Sequence, residues 1–326
     1  MKRASALILM AFVAFVSGSA QTAADNSTFK LTLPAHLGQL LWHADGFKIV
    51  ESSAKPDGRE IGLRGSDRSG RLMFLGFLFL VPKETSLTSA RCRDRTLDVE
   101  KKDNPTLKTL VSSELAGPYN LPIELVNYTV KGGDGKTWHM TRAFVATGDI
   151  CGDLQFYSAT PISAEDSDLK KILGSYQLDP GYAAQFQDIF LYAQVLYHHR
   201  MYKAAAPLFE QALAKLQDGK GNELMRRVVT DQAGMAYGMS GDIPRARALF
   251  EAAIAKDPDY PLYYYNLACA DAEEKRLVDA REHPKQAFDR KANVLPGETM
   301  PDPTKDESFL PYQGNKDFWA FIKALH

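Results

Sequence analysis

The chain has 326 residues, 45% of them hydrophobic, with 39 Lys and Arg against 40 Asp and Glu and a pI near 6.7. That balance supplies no basic face to neutralise phosphates and no polybasic patch for a lipid surface, so nucleic acid and polybasic membrane anchoring are excluded. The length favours two domains, each burying a core of its own.

The first element in chain order is a leader. Met1-Lys2-Arg3 is basic, residues 6–16 are almost unbroken apolar sequence, and Gly18-Ser19-Ala20 puts small residues ahead of Gln21. This is the pattern of a secretory signal peptide over residues 1–20. Its apolar run is shorter than the ~20 residues of a spanning helix. No later run in the mature chain has the length and apolarity of a transmembrane segment. The expectation is a secreted protein, and the style of signal and repeat points to a bacterial periplasm. Of the three cysteines, Cys92 and Cys151 share the N-terminal half. An oxidising compartment allows them to form a disulfide, with two separate buried thiols as the alternative. Cys269 reads as packing within a helix.

Residues 29–180 read as an α+β domain. Short β-rich runs recur at 29–33, 47–53, 60–64, 72–81, 123–131, 137–147 and 154–159, punctuated by turn signals such as Pro56-Asp57-Gly58 and Ser69-Gly70. Gly132-Gly133-Asp134-Gly135 sits between two alternating segments and predicts an antiparallel hairpin. One helix is expected from about Thr88 through Arg95 towards Lys102. Another is expected from Ser163 to about Ser175, with Ala164-Glu165-Asp166 placing acids in its first turn. The closing elements are Ala143-Phe144-Val145-Ala146, then Leu154-Gln155-Phe156-Tyr157, then the stretch from Asp168 to Tyr176. This order of strands, helix, hairpin and final amphipathic helix resembles secreted domains of the PsbP/Mog1-like fold. The resemblance covers roughly 150 residues and implies an antiparallel sheet with packed helices, used for binding or assembly.

A helical repeat follows over residues 183–296. Phe209 and Ala212 in Leu208-Phe209-Glu210-Gln211-Ala212-Leu213 recur 41 residues later as Phe250 and Ala253 in Leu249-Phe250-Glu251-Ala252-Ala253-Ile254. A further unit, Tyr264-Tyr265-Asn266-Leu267-Ala268-Cys269, comes next. A period in this range predicts stacked helix pairs that bury their faces against neighbours. The pattern of Ala193, Ala205, Phe209 and Ala212, then Gly234, Tyr237, Ala246, Phe250 and Ala253, resembles tetratricopeptide (TPR) repeats, an all-α array. In the third unit Leu267, Ala268, Ala280 and Ala287 fit, but Asp271 stands where an aromatic is usual. His283-Pro284 replaces an apolar pair there and predicts a short, kinked or restarted helix. The 41-residue spacing predicts an extended first unit with a loop at Asp218-Gly219-Lys220-Gly221. Residues 297–326 are expected to form a Pro- and Asp-rich linker and a capping helix around Asp317-Phe318-Trp319-Ala320-Phe321-Ile322.

The resemblance implies a concave groove lined by the first helix of each pair. Its positions fall on Gln187, Phe190, Gln194, Tyr197 and His198, then Val228, Asp231, Met235 and Met239, then Leu262, Tyr265, Cys269 and Glu273. Flexible Met beside rigid Tyr suits capture of a peptide or helix. The bland alternative packs the same residues on a neighbouring domain or on the closing tail.

HExxH, CxxC, GxSxG and phosphate-binding glycine loops are missing from the sequence. His198 and His199 are adjacent, so on a helix they point about 100° apart and chelate one metal poorly. His139 near Cys151 lacks a third orienting group. The expected protein is therefore no enzyme, carries no cofactor or metal, and binds a protein or peptide partner. Two alternatives stand beside it: an envelope assembly factor that recognises partners through its N-terminal sheet, and a small-ligand or enzymatic N-terminal domain with the repeats as a targeting arm.

Overall fold

A computed structural model describes residues 27–132, 135–162, 166–216 and 222–325, with the side chains of residues 109 and 110 outside the description. The chain divides into two compact units, one ending at His199 and the other starting at Arg200.

The first unit has ten strands: β1 (Thr28–Thr32), β2 (Leu37–His43), β3 (Lys48–Ala54), β4 (Glu60–Ser66), β5 (Met73–Leu80), β6 (Lys108–Leu115), β7 (Ile123–Lys131), β8 (Thr137–Thr147), β9 (Ile150–Ser158) and β10 (Gln177–Ala183). Helix α1 (Ser89–Asp103) lies between β5 and β6, α2 (Ser167–Ser175) precedes β10, and α3 (Phe186–His198) follows it. Seven strands form an antiparallel sheet in the order β3-β4-β5-β9-β8-β7-β6, and β1-β2-β10 form a second. Their contact is set by side-chain size. On β5, buried positions alternate through Phe74, Gly76, Leu78 and Leu80. A Cβ at Gly76 would meet the Trp42 indole at 2.5 Å, and one at Gly152 would meet Leu40 at 2.5 Å, so glycine makes the floor on which β2 rests. The other face is covered by α1, which packs on β7 and β8. Thr88 caps α1 by accepting from the Arg91 amide.

Three strands escape the sequence reading: β2, β6 and β10. The expected hairpin is β7–β8, although Gly133 and Asp134 lie outside the described residues. Helix α2 begins at Ser167, because Asp166 accepts from the Asp168 and Leu169 amides and acts as its cap, not as a first-turn acid. Ser163 to Glu165 lie outside the described residues. Helix α3, expected to open the repeats, belongs by its contacts to the sheet unit. Ile189 and Tyr192 are fully buried there, and the Tyr192 hydroxyl donates to the Lys55 and Glu60 carbonyls at 2.7 and 2.8 Å.

The second unit is α4 (Tyr202–Lys215), α5 (Glu223–Met239), α6 (Ile243–Lys256), α7 (Pro261–Glu273), α8 (Asp279–Asp289) and α9 (Lys316–Ala324). Consecutive helices pack in pairs from α4 to α8, and α5 also touches α7. The long helix is α5, with 17 residues, whereas α3 and α4 have 13 and 14; the Asp218–Gly221 loop lies outside the described residues. Helix α8 is short, 11 residues, and runs through Pro284. Helix α9 buries Phe318 and Ile322 against a cluster with Tyr265, Ala268, Ala280, Ala287 and Phe309.

Candidate functional site

Small residues let the helices of the second unit approach. A Cβ at Gly234 on α5 would collide with the Phe250 ring of α6, and Phe209, Ala212, Ala246 and Phe250 are all buried. With that packing fixed, helical spacing of four sets the next face. It lines up Asp231, Met235 and Met239 on α5, and Tyr265, Cys269 and Glu273 on α7.

The chain's own tail lies on this surface. The Tyr265 hydroxyl donates to Asp306 at 3.0 Å, and the Cys269 thiol lies 3.7 Å from the same carboxylate. Phe309 meets the Tyr265 ring edge-on at 6.1 Å, and the Tyr312 hydroxyl donates to the Ala272 carbonyl. Further along, Tyr260 donates to both oxygens of Glu298, at 3.0 and 2.9 Å. Below that contact Asn266 donates to Asp231 at 2.6 Å. Burial, joined by the charge of Glu298 and opposed by the Asn266 hydrogen bond, pushes the Asp231 carboxyl up to about 7. Burial also raises Glu298, and burial followed by the Asp306 charge pushes the Cys269 thiol well up.

The expected groove residues are thus placed unevenly. Tyr265 and Asp231 are 1% and 7% exposed, Met235 is half-buried, Met239 is 44% exposed and Glu273 is exposed. Phe190, Gln194, Tyr197 and His198 sit on α3 and so belong to the other unit. Phe190 and Tyr197 are buried, Gln194 is half-buried and His198 is exposed, with its ring 5.8 Å from that of His199.

One cluster was missed although its signal was visible. Asp271 and His283, the two departures from the repeat pattern, are partners: His283 Nδ1 lies 2.6 Å from Asp271, whose other oxygen accepts from Arg247 at 2.6 Å. Asp271 is fully buried. Each departure supplies what the other requires, since an unpaired charge there would be costly.

In the sheet unit, Arg142 on β8 binds Asp153 through two hydrogen bonds of 2.9 and 2.6 Å, and also Glu100 and Tyr128. Burial, outweighing the Arg142 charge, pushes Tyr128 up to about 12. Arg142 and Glu100 line a pocket of about 390 Å³ beside α1, with Val81, Cys92 and Val99 among its walls. Its buried cation is held by carboxylates of the same chain and turns no unpaired charge towards a ligand. Cys92 and Cys151 are joined as a disulfide with Cα atoms 6.1 Å apart, which removes Cys151 from any thiol–imidazole pair. His139 lies at the far end of β8, opposite Ser158, whereas Cys151 pairs with Ala146. Among the described residues no group of three or more His, Cys, Asp or Glu could hold a metal ion, and no helix is long and apolar enough to cross a membrane.

No family model and no curated protein matches the chain. Among solved structures, the TPR domain of Sgt2 from Aspergillus fumigatus matches at 17% identity, over 42% of this chain and 79% of that one, with a TM-score of 0.31. The Yersinia enterocolitica type III secretion translocator chaperone SycD matches at 14% identity over 43% and 90%, TM-score 0.30. The cyanobacterial PsbP of Synechocystis sp. PCC 6803 matches at 13% over 50% and 98%, TM-score 0.35. At these identities and scores, the functional reading rests on the chain's own geometry.

Proposed function

We propose that the protein is a non-enzymatic, secreted or periplasmic adaptor whose helical unit captures a partner protein or peptide. The observation that carries this reading is the tail on α7. An irregular acidic and aromatic segment is held there by side-chain hydroxyls on its carboxylates and by an aromatic seat for Phe309. A surface that takes such a segment from its own chain has the chemistry to take one from another. The partner is then a peptide that turns as this tail does, where the Phe309 amide donates to the Asp306 carbonyl at 3.0 Å, with an acid three residues ahead of an aromatic, as in Asp306-Glu307-Ser308-Phe309. The Cys92–Cys151 disulfide supports an oxidising compartment.

A labelled peptide of residues 298–312 tests the reading. Titrated into the full chain carrying Asp306→Ala and Phe309→Ala, it should bind saturably, and more tightly than to the wild type, whose tail competes. Failure of the folded double variant to bind would end it. A second reading places recognition on the N-terminal sheet, with the helices packed internally. The complete burial of Phe309 among core residues favours it.

A further inference from the structure

The seven-stranded sheet has two edges, and among the described residues only one is covered by a helix. On β3 the ladder bulges between Ile49 and Glu51, and Glu51 pairs with Arg64 at 2.9 Å. Helix α3 packs against the same strand, where His199 donates to the Ser52 carbonyl at 2.7 Å. Bulges, charges and a covering helix are the usual protections of an edge. On β6 the ladder also bulges, between Thr109 and Val111, but residues 111–115 beyond it run in regular register with β7 as their sheet neighbour. All five are exposed: Val111 is 57% and Leu115 38% exposed, and Ser112, Ser113 and Glu114 are open as well. Since alternate residues face opposite sides, the described residues leave both faces of this edge uncovered.

We propose that β6 is a dimerisation edge on which a second copy of the chain docks its own β6, antiparallel about Ser113. The argument is self-complementarity. Val111, Ser113 and Leu115 stand opposite Asn127, Leu125 and Ile123 of β7 and therefore share a face. Antiparallel pairing centred on Ser113 sets Val111 across from Leu115 of the second copy, twice, and closes an apolar strip of four side chains. On the other face it sets the Ser112 hydroxyl across from the Glu114 carboxylate, twice, with no like charges directly opposed. Because β3 is blocked, the contact is β6 to β6. Such a contact uses the same patch on both copies and stops at two, whereas β6 to β3 would propagate. Five paired residues bury less than the ~1,200–2,000 Å² of a stable specific interface, so the dimer forms and dissociates with concentration.

Sedimentation of the full chain over a concentration series should show a monomer–dimer equilibrium. Val111→Lys, whose side chain already stands in water, should raise the dissociation constant about tenfold or more with an unchanged circular dichroism spectrum. Register is tested separately by oxidation on non-reducing gels. Ser113→Cys should trap a covalent dimer faster than Ser112→Cys or the wild type, because only residue 113 faces itself. A chain that stays monomeric at every concentration overturns the proposal and leaves the edge to a foreign strand. Crosslinking of the Ser112→Cys variant as fast as the Ser113→Cys variant, or growth beyond two copies, overturns it equally.

Discussion

Asp231 is a carboxyl group that folding makes harder to ionise, and this has a measurable sign. Its ordinary value of 3.8 rises to about 7, first through burial and then through Glu298. Below pH 4 both folded and unfolded chains hold the proton and the group is neutral in the balance. Between pH 4 and 7 the unfolded chain releases the proton first, so stability falls. Above pH 7 the full penalty applies, about 4 kcal/mol at most for a rise of this size. Asp231→Asn removes the ionisation while its side-chain oxygen keeps the Asn266 donor now at 2.6 Å, and its amide can donate towards Glu298. The readout is the local opening free energy of α5 and α7, from amide hydrogen exchange of variant and wild type at matched pH. The variant should match the wild type near pH 4, gain through neutrality, and level off above pH 7 at up to about 4 kcal/mol. A difference that does not change with pH, or a wild type that is the more stable at pH 8, would refute the reasoning.

Further variants probe three other parts of the fold. Asp271→Ala takes the acceptor from His283 and leaves Arg247 with Glu274 at 2.6 Å and Glu251 at 3.4 Å, and should destabilise the helical unit by about 1–3 kcal/mol in urea unfolding. Asp271→Phe with His283→Leu, which restores an apolar pair, should cost less than half of that in a double-mutant cycle. Cys92→Ser with Cys151→Ser opens a loop of 59 residues and should cost the sheet unit on the order of 4 kcal/mol, an effect that reductant reproduces in the wild type and not in the variant. Gly234→Ala drives a methyl group into Phe250, which is 2% exposed and has little room to yield, so a loss of about 1–3 kcal/mol is expected, relieved by a further Phe250→Leu.

Much of the architecture was legible because hydrophobic period and local chemistry agreed. The apolar run that becomes β5, the helix start at Thr88 and the Gly234 and Phe250 repeat positions were visible in the sequence, and each is used as its residue types suggest. The strands that went unseen lacked such a signal. In β6, the side chains from Val111 to Leu115 form no buried stripe, because they stand on an exposed edge. In β10, Pro180 and Gly181 interrupt the run. The boundary of the repeats was displaced because α3 carries residues for two roles. Ala193 fits the repeat pattern, yet Ile189 and Tyr192 are spent on the sheet unit. The candidate site was half legible. Helical spacing aligned Tyr265 with Cys269, but nothing local tells that Asp306, 41 residues beyond Tyr265, would come back to meet them. Such long-range contacts leave no periodic trace.

The most direct test of the central claim is complementation in trans. The peptide of residues 298–312 is titrated into the chain carrying Asp306→Ala and Phe309→Ala, and into the same chain with Tyr265→Phe added. Tyr265→Phe removes the hydroxyl that meets Asp306 and keeps the ring that seats Phe309. The account predicts saturable binding to the first and binding weakened about tenfold in the second, the worth of one hydrogen bond to a charged group. Equal affinity in both, or no binding by either folded chain, would contradict it.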